Sequence, residues 1–575
     1  MDVWGVSMIS TGMDPAFCSS TLRRRFWWPF ILLVAAVAYL YGLDGYHIPK
    51  IGDEDPYVQI VRLTAASGTW LPLRSPEGIG NTKPPLLFWQ GIFATDWGRH
   101  WNLFRLRLPT VVYTFLTAGL VFFLARRMAG NVENGHLAAL TFLGFFSTFQ
   151  YGRPFLTNLP ETFFVFLPFF CLLYFRDRMA RWGLSFWLFS GLSFGMAFLY
   201  KSFALAVPVA LSLTWYHLVV RRWSLKAFLA KDAANVTAAT LMALSCFALW
   251  PAFDPDPHTI LTQFVLGENV GKLSRGDYLR GLFSGPYPVF NIWFGNLANA
   301  GFFALPLIAL VGSSVKQRAA LSAEEKALWI VVLSFMIAFS IPGQRQENYL
   351  LPTVPALAVL LGTRWTFMRR GWFYLFTLPV VLALAGLTGI MFSVSQKVLP
   401  AGYEAWQLTI PLLALALGLA SLLYNRIAPF TFHLLVVMVF IALSCALAPF
   451  DGPLGKYADE TVRSLQGQTV YIPSNFRSSY ERHRFLLPGV EIAGYDMGNG
   501  GRPEELLRAG QIVAVRRHYG DSLVGPYAVY GSRLTVRSRH TDEEIREILL
   551  GGRLELLVQK EIIVRLPSPA TEGSR

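Results

Sequence analysis

Long apolar runs alternate with short polar connections along the first 450 residues of the chain. Runs of about 20 apolar residues are long enough to cross a bilayer. In lipid each run must form a helix, because only a helix pairs all of its own backbone groups. The pattern therefore predicts an all-α polytopic membrane protein with about 13 transmembrane helices. The predicted spans lie near residues 26–43, 109–126, 136–150, 161–175, 184–200, 203–220, 233–252, 288–312, 327–342, 349–365, 371–393, 406–424 and 429–449.

The pattern changes at residue 451. Short runs rich in β-branched residues, such as "QTVYIP" and "EIIVRL", alternate with the helical patterns "RPEELLRAG" and "TDEEIREILLGG". Strand-like runs between helical patterns are typical of an α/β fold. We therefore predict two domains, a transmembrane domain over residues 1–450 and a small soluble α/β domain over residues 451–575.

Two connections between the predicted spans are long, residues 44–108 and about 253–287. The first contains two segments with an apolar face, one beginning at Pro56 and one with the sequence "PPLLFWQGIFATDW". Segments of this kind are typical of helices that lie in the membrane interface. We expect both long connections to lie on the same side of the membrane.

The net charge of +14 would suggest a nucleic-acid partner in a soluble protein. Only 15% of the residues are charged, however, and the mean hydropathy is +0.41. Basic residues collect in every second connection, on the side of Arg23, Arg24 and Arg25. The positive-inside rule places that side in the cytoplasm, so the charge indicates topology and no nucleic-acid partner. An odd number of spans then places the C-terminal domain and the two long connections outside, which is the periplasm in a bacterium.

The stretch "GDEDPY" holds three carboxylates, Asp53, Glu54 and Asp55, directly before a proline. Such a cluster is either an exposed helix start or part of an active site. Asp followed by Pro is a good helix N-cap, so we assign the cap to Asp55. Asp53 and Glu54 are then the candidate catalytic residues. We call residues 53–55 the acidic segment.

Cations recur at the outer ends of the predicted spans, at Lys83, Lys201, Lys272 and Arg345. A single lysine at such a place usually reaches out to lipid headgroups. Four cations around an apolar-bordered cleft instead suit a phosphate that is attached to a lipid. Tyr349, at the head of a span, is either an interfacial aromatic residue or part of the same site. The cysteines and histidines show no metal-ligand spacing, so we expect no metal ion and no cofactor.

These motifs resemble those of a known enzyme family in their order and spacing over roughly residues 26–370. The matching segments are Asp53, Glu54 and Tyr57; Lys83–Pro84; "KSFALAVPV" at Lys201; Glu268 with Lys272; and Tyr349 to Pro352. The chain resembles the GT-C membrane glycosyltransferases, and among them the bacterial 4-amino-4-deoxy-L-arabinose lipid A transferases, which are related to the protein O-mannosyltransferases. Three positions depart from the family pattern: Asn158 stands where an aspartate is common, Lys272 replaces arginine and Ser202 replaces glycine.

The resemblance implies that Asp53 and Glu54 are catalytic. It also implies that Lys83, Lys201, Lys272, Arg345, Tyr349, Tyr57 and Glu268 bind the lipid phosphate or the sugar. The implied reaction moves aminoarabinose from undecaprenyl phosphate to a lipid A phosphate, with inversion, at the periplasmic face of the inner membrane. This would confer resistance to polymyxin and cationic peptides. We expect a monomer surrounded by membrane lipids.

Two other functions remain open from the sequence. The chain could transfer another polyprenyl-phosphate-linked sugar to a lipid, a glycan or a protein hydroxyl. It could also transport or flip a lipid-linked substrate. The second function is disfavoured, because there is no detectable inverted repeat and the charges collect at the outer face rather than at mid-membrane.

Overall fold

The structure is a computed structural model, and it describes residues 21–49, 52–76, 78–79, 83–176, 179–271, 278–400, 402–424, 426–474, 478–496, 502–523, 525–537 and 540–567. Each of the 13 predicted spans coincides with helix. The helices up to residue 447 are α1 Thr21–Leu40, α2 Glu54–Ala66, α3 Leu86–Ala94, α4 Leu103–Ala129, α5 Val132–Gly144, α6 Phe146–Gly152, α7 Asn158–Tyr174, α8 Met179–Tyr200, α9 Ala206–Val220, α10 Leu225–Lys231, α11 Ala233–Phe253, α12 Pro257–Thr259, α13 Tyr278–Phe283, α14 Phe290–Trp293, α15 Gly295–Ala300, α16 Ala304–Lys316, α17 Ala323–Ser340, α18 Val354–Arg364, α19 Trp372–Lys397, α20 Ala405–Leu423 and α21 Ala428–Leu447. A π-helix, Ile260–Val270, follows α12, and a 3₁₀-helix, Glu347–Thr353, precedes α18.

The predicted polytopic membrane fold is confirmed. Within the described residues, nine helical segments are long and apolar enough to cross a membrane. The remaining predicted spans coincide with shorter or more polar helices. The apolar part of α1 and helix α7 have fewer than 18 residues, α5 has 13, and α17 carries Glu324, Glu325 and Lys326 in its first turn.

The two helices predicted in the first long connection are α2 and α3. Their apolar faces pack against each other, with the rings of Tyr57 and Phe88 in edge-on contact at 5.6 Å between centroids. Gly91 permits this close approach, because a Cβ at that position would lie 2.8 Å from the side chain of Val61. The acidic segment lies at the N-terminus of α2, and Lys83 lies just before α3.

The cap prediction for Asp55 is wrong. Helix α2 begins at Glu54, and Asp53 stands at the N-cap position without a hydrogen bond from its side chain to the first helical turn. The carboxylate of Asp55 instead accepts a hydrogen bond from the guanidinium of Arg482. An ion pair across the fold has replaced the local bond that the Asp-Pro sequence predicts.

The alternation of strands and helices predicted after residue 451 is confirmed, and the strands form a five-stranded mixed sheet. Its strands are β3 Thr469–Ser474, β4 Glu491–Asp496, β5 Ile512–His518, β6 Ala528–Val536 and β7 Val558–Arg565. Their spatial order is β4-β3-β5-β7-β6, with β3 parallel to both β4 and β5, and β7 antiparallel to both β5 and β6. Four helices and strands of this region match the four quoted sequence segments. The division into two domains stays a prediction. The helices of this region are α22 Asp459–Ser464, α23 His483–Leu486, α24 Pro503–Arg508 and α25 Asp542–Leu549. A separate small hairpin, β1 Arg74–Ser75 with β2 Gly78–Ile79, lies in the first long connection.

The buried carboxylate of Glu561 binds several side chains on one side of this sheet. Glu561 on β7 accepts hydrogen bonds from Arg533 and Arg516, both at 2.8 Å, and from Tyr457 at 3.0 Å, and its carboxylate lies 2.8 Å from the ring of His483. Burial alone would raise the pKa of Glu561, but the arginines and His483 hold that pKa well below its ordinary value. The cluster fixes the segment 479–483, which is the part of the C-terminal region that faces α2.

Candidate active site

Glu54 is fixed by a buried ion pair and by further hydrogen bonds. Its side chain is 1% exposed and forms a two-bond ion pair with buried Arg107, at 2.7 and 3.0 Å. Its carboxylate also accepts a hydrogen bond from the backbone N–H of Phe155 at 2.8 Å and lies 3.3 Å from a guanidinium nitrogen of Arg482. A carboxylate engaged on both oxygens in this way has little capacity left for a substrate. This geometry favours a structural role for Glu54 over the catalytic role that we predicted.

Arg107 connects the same carboxylate to the chain before the acidic segment. Its second terminal nitrogen donates to the carbonyl oxygens of Leu43 at 2.8 Å and Gly45 at 2.6 Å. Arginine is suited to this task because its planar group offers five donors in a fixed geometry. One buried side chain therefore binds both Glu54 and the backbone that precedes the acidic segment.

Asp53 is the remaining candidate catalytic carboxylate, and its side chain is half-buried. The neighbouring Gly52 has a φ of +128° and packs against Leu156, since a Cβ there would lie 3.2 Å from that side chain. Asp53 is thus placed by two fixed neighbours, Gly52 before it and Glu54 after it. We keep the proposal that Asp53 acts on the substrate.

Lys83 and Glu268, both predicted site residues, form an ion pair. The ammonium of Lys83 lies 2.8 Å from each carboxylate oxygen of Glu268, and both side chains are about one-third exposed. Glu268 lies on the π-helix, a form that occurs frequently at functional sites. The pair therefore joins the two long connections, and both of its side chains are accessible to solvent.

Lys201 pairs with a carboxylate that we did not predict. Its ammonium lies 2.9 Å from the carboxylate of Glu161, which is buried in the first turn of α7. The same ammonium lies 5.5 Å from the ring centroid of Tyr349, close enough for a cation–π interaction. Lys201 and Tyr349, predicted separately, thus belong to one cluster.

Two hydrogen bonds connect these clusters. Ser202, next to Lys201, donates to the side chain of Asn269, next to Glu268, at 2.6 Å. Tyr200 donates to Gln90 on α3 at 2.9 Å. The two lysine–carboxylate pairs therefore lie on neighbouring segments, near the N-terminal ends of α3 and α7 and the C-terminal end of α8. We call this group, Lys83, Glu161, Lys201, Glu268 and Tyr349, the cation cluster.

Arg345 has a different setting. It is 1% exposed and donates to three backbone carbonyls, those of Ser340 at 2.8 Å, Tyr287 at 3.1 Å and Gly281 at 3.2 Å. This geometry favours a role in holding the second long connection over direct contact with a phosphate. Tyr57 packs against Phe88 beneath the site. Lys272 lies outside the described residues.

Sequence reasoning missed Glu161, Arg107 and Arg482. Glu161 carried a signal, because a carboxylate in the first turn of an apolar helix is costly unless it is paired or functional. It stands three residues after Asn158, the position at which this chain departs from the family pattern. Arg107 and Arg482 carried no comparable signal, because their partners lie 53 and 427 residues away.

The arrangement suits chemistry on a lipid-linked phosphate. Two lysine ammonium groups lie near helix ends, and each is paired with a carboxylate. Such ammonium groups can also bind an anionic ligand. Asp53 lies at the start of α2. A membrane glycosyltransferase requires cations that stabilise the departing phosphate and a carboxylate that interacts with the sugar.

Comparison with solved structures shows a GT-C-like fold. The structure is similar to ArnT from Cupriavidus metallidurans in the apo state, with a TM-score of 0.62 and 18% identity over 86% of this chain and 93% of that chain. It is also similar to the same protein bound to undecaprenyl phosphate, with a TM-score of 0.62 and 17% identity over 94% of this chain and 98% of that chain. The predicted GT-C-like fold is confirmed.

Sequence comparison gives relatives with one shared description. The family model "Dolichyl-phosphate-mannose-protein mannosyltransferase" matches residues 57–256. The chain is 29% identical over 358 residues to the undecaprenyl phosphate-alpha-4-amino-4-deoxy-L-arabinose arabinosyl transferase of Pseudomonas aeruginosa strain UCBPP-PA14, covering 59% of this chain and 60% of the relative. It is 26% identical over 345 residues to a protein of the same description, number 2, from Proteus mirabilis, covering 58% of each chain. The predicted resemblance to the GT-C glycosyltransferases is confirmed, and the match spans about 60% of the length of the first of these relatives.

Proposed function

We propose that the protein is an inverting glycosyltransferase that moves 4-amino-4-deoxy-L-arabinose from undecaprenyl phosphate to a phosphate of lipid A. The observation that carries the proposal is the cation cluster, whose two ammonium groups suit the phosphate of a lipid-linked donor. The similarity to named aminoarabinose transferases supports the choice of sugar and carrier. The match to the mannosyltransferase model supports a polyprenyl-phosphate donor more generally.

The proposed reaction is a single displacement at the anomeric carbon. An oxygen of the acceptor phosphate forms the new bond to that carbon, while the bond to the phosphate oxygen of the donor breaks. Undecaprenyl phosphate leaves with the bonding electron pair. Attack from the face opposite to the leaving group inverts the configuration of the sugar.

Lys83 and Lys201 are assigned to the leaving phosphate. Preorganised cations stabilise charge as it develops, and they are most effective in a site that excludes water. Glu268 and Glu161 hold the two lysines in place before the donor binds. Arg345 is assigned to hold residues 278–287 of the second long connection, through the backbone carbonyls of Gly281 and Tyr287.

Asp53 is assigned to the sugar rather than to proton transfer. A phosphate monoester has a second pKa of about 6, so the acceptor is already anionic near neutral pH. A general base is therefore not required for this acceptor. The carboxylate of Asp53 would stabilise the positive charge that develops at the anomeric carbon or hold the ammonium group of the sugar.

The proposal is tested by mass spectrometry of lipid A from a bacterium that lacks its own aminoarabinose transferase. Cells that make the donor and express this chain should gain lipid A carrying aminoarabinose, and cells with an empty vector should not. Polymyxin resistance should rise in parallel. Unmodified lipid A together with a sugar on a protein or glycan would replace the proposed acceptor, and unmodified products of every class would refute the transferase proposal.

We also propose that the acidic segment, the cation cluster and the C-terminal region face the periplasm of a bacterial inner membrane. The support is the basic character of the opposite connections, which the positive-inside rule assigns to the cytoplasm. A reporter enzyme that is active only in the periplasm, fused after Arg575, should be active in living cells. Activity of a cytoplasmic reporter at the same position would reverse the orientation.

A further inference from the structure

Arg482 joins the C-terminal region to the acidic segment. It lies in the 3₁₀-helix Ser479–Arg482, between the sheet and α2. One nitrogen donates to the carboxylate of Asp55, another lies 3.3 Å from Glu54, and a third donates to the carbonyl oxygen of Tyr46 at 2.8 Å. Three bonds from one side chain thus reach two of the three carboxylates and the backbone before them.

The charges of this contact balance locally. Glu54 and Asp55 carry two negative charges, and Arg107 and Arg482 supply two positive charges from opposite sides. Arg482 itself is mostly buried, with 11% of its side chain exposed. A buried ion pair of this kind fixes geometry, because a departure from that geometry leaves charges without partners. The carboxylate of Asp53 is the one member of the acidic segment that neither arginine contacts in these hydrogen bonds.

The position of Arg482 is itself fixed from the sheet. The next residue, His483, is fully buried, and its ring lies 2.8 Å from the carboxylate of Glu561. The guanidinium of Arg533 lies 4.8 Å from the ring centroid of Tyr46 and donates to Glu561 at 2.8 Å. A continuous set of buried contacts therefore runs from β7 through His483 and Arg482 to the acidic segment.

We propose that Arg482 is a positioning residue of the active site, which sets the conformation of the acidic segment, and hence of Asp53, from the C-terminal region. The inference rests on the proposed function, because it assigns Arg482 to the same reaction. It gives the C-terminal region a role in catalysis through Asp53 without direct contact with the sugar.

The chain offers a matched control in Arg62. This arginine lies on α2 and also joins α2 to the C-terminal region, through the buried carboxylate of Glu481. It makes no hydrogen bond to the acidic segment among the described contacts. If Arg482 only attaches the C-terminal region to α2, substitution of either arginine should have the same effect.

The test compares Arg482→Gln with Arg62→Gln in the full-length purified chain, with undecaprenyl-phosphate-linked aminoarabinose as donor and lipid A as acceptor. We expect Arg482→Gln to lower kcat by roughly ten- to a hundredfold, as small misplacements of a reacting group do. KM for the donor should change little, because Lys83 and Lys201 hold its phosphate. Arg62→Gln should leave kcat within about threefold of the unmodified protein, because Glu481 keeps Arg484 as a second partner at 3.3 Å.

Hydrogen–deuterium exchange supplies a readout that does not depend on the reaction. In Arg482→Gln, amides of residues 46–55 should exchange faster, while those of strand β3 stay protected. In Arg62→Gln, exchange in residues 46–55 should be unchanged. If Arg482→Gln fails to fold, Arg482→Lys retains the charge but not the three directed bonds, and the same two measurements apply to it.

Equal losses of kcat in both variants, or normal kcat and normal exchange in the Arg482 variant, would overturn the proposal. Failure of the proposed function has a different signature, because the unmodified protein would then form no product from either substrate. In that case the exchange comparison alone decides whether Arg482 sets the conformation of the acidic segment.

Discussion

Asp53→Asn is expected to lower the rate of sugar transfer by about a thousandfold while the protein remains folded. The substitution removes charge and keeps shape, so the half-buried side chain still fits its place. A neutral amide cannot stabilise a positive charge at the anomeric carbon or hold the ammonium group of the sugar. The loss of one preorganised electrostatic contact costs a hundred- to a thousandfold in turnover, or roughly 3–4 kcal/mol. The measurement is single-turnover transfer with purified donor, at matched amounts of folded protein.

Glu54→Gln is the contrasting variant on the same segment. It removes the charge that balances Arg107, which is fully buried. Breaking a buried ion pair in this way destabilises a fold by about 3–5 kcal/mol, so this variant should give little folded protein. Normal transfer by Asp53→Asn would exclude Asp53 from the reaction. Asp55→Asn is not a neutral control, because Asp55 accepts a hydrogen bond from Arg482.

Lys83→Ala is expected to lower transfer by about a hundred- to a thousandfold, because the leaving phosphate loses one of its two assigned cations. Folding should be nearly unaffected. The Lys83–Glu268 pair is about one-third exposed on both sides, and exposed ion pairs contribute about 0–1 kcal/mol to stability. The comparison requires kcat and KM for the donor, together with the thermal stability of each purified variant.

Glu268→Gln is the matched control for Lys83. It removes the ion pair but keeps the lysine, so turnover should fall far less than in Lys83→Ala. Equal losses in the two variants would mean that the link between the two outer connections matters rather than the cation. Normal turnover in Lys83→Ala would place Lys83 outside the site.

The sequence predicted the membrane helices well, because each apolar run must bury itself in lipid and satisfy its own backbone. Helices α2 and α3 were also predictable, since each carries an apolar face of sufficient length. The exact start of α2 was not. A local rule assigned Asp55 to the cap, but the ion pair with Arg482, 427 residues away, determines where that carboxylate points.

The sequence predicted those site residues whose type and position in the chain both limit what they can do chemically. Lys83, Lys201, Glu268 and Tyr349 were selected as polar groups at the outer ends of apolar spans, and they lie close together in the fold. Arg345 was selected on the same ground, yet it donates to backbone carbonyls of the second long connection. A charged residue at a span end therefore needs a partner. The sequence does not show whether that partner is a substrate or a backbone carbonyl.

The contact between Arg482 and the acidic segment also bears on biosynthesis. The acidic segment is synthesised early in the chain, and Arg482 follows 427 residues after Asp55. At about 5–20 residues per second, this interval lasts roughly 20–90 s. During that time the growing chain has inserted most of its membrane helices but holds Glu54 and Asp55 without one of their two arginines. Under the proposed function, a chain that stops before the C-terminal sheet is made would remain in the membrane with slowed transfer, so that the full rate would be reached only after translation is complete.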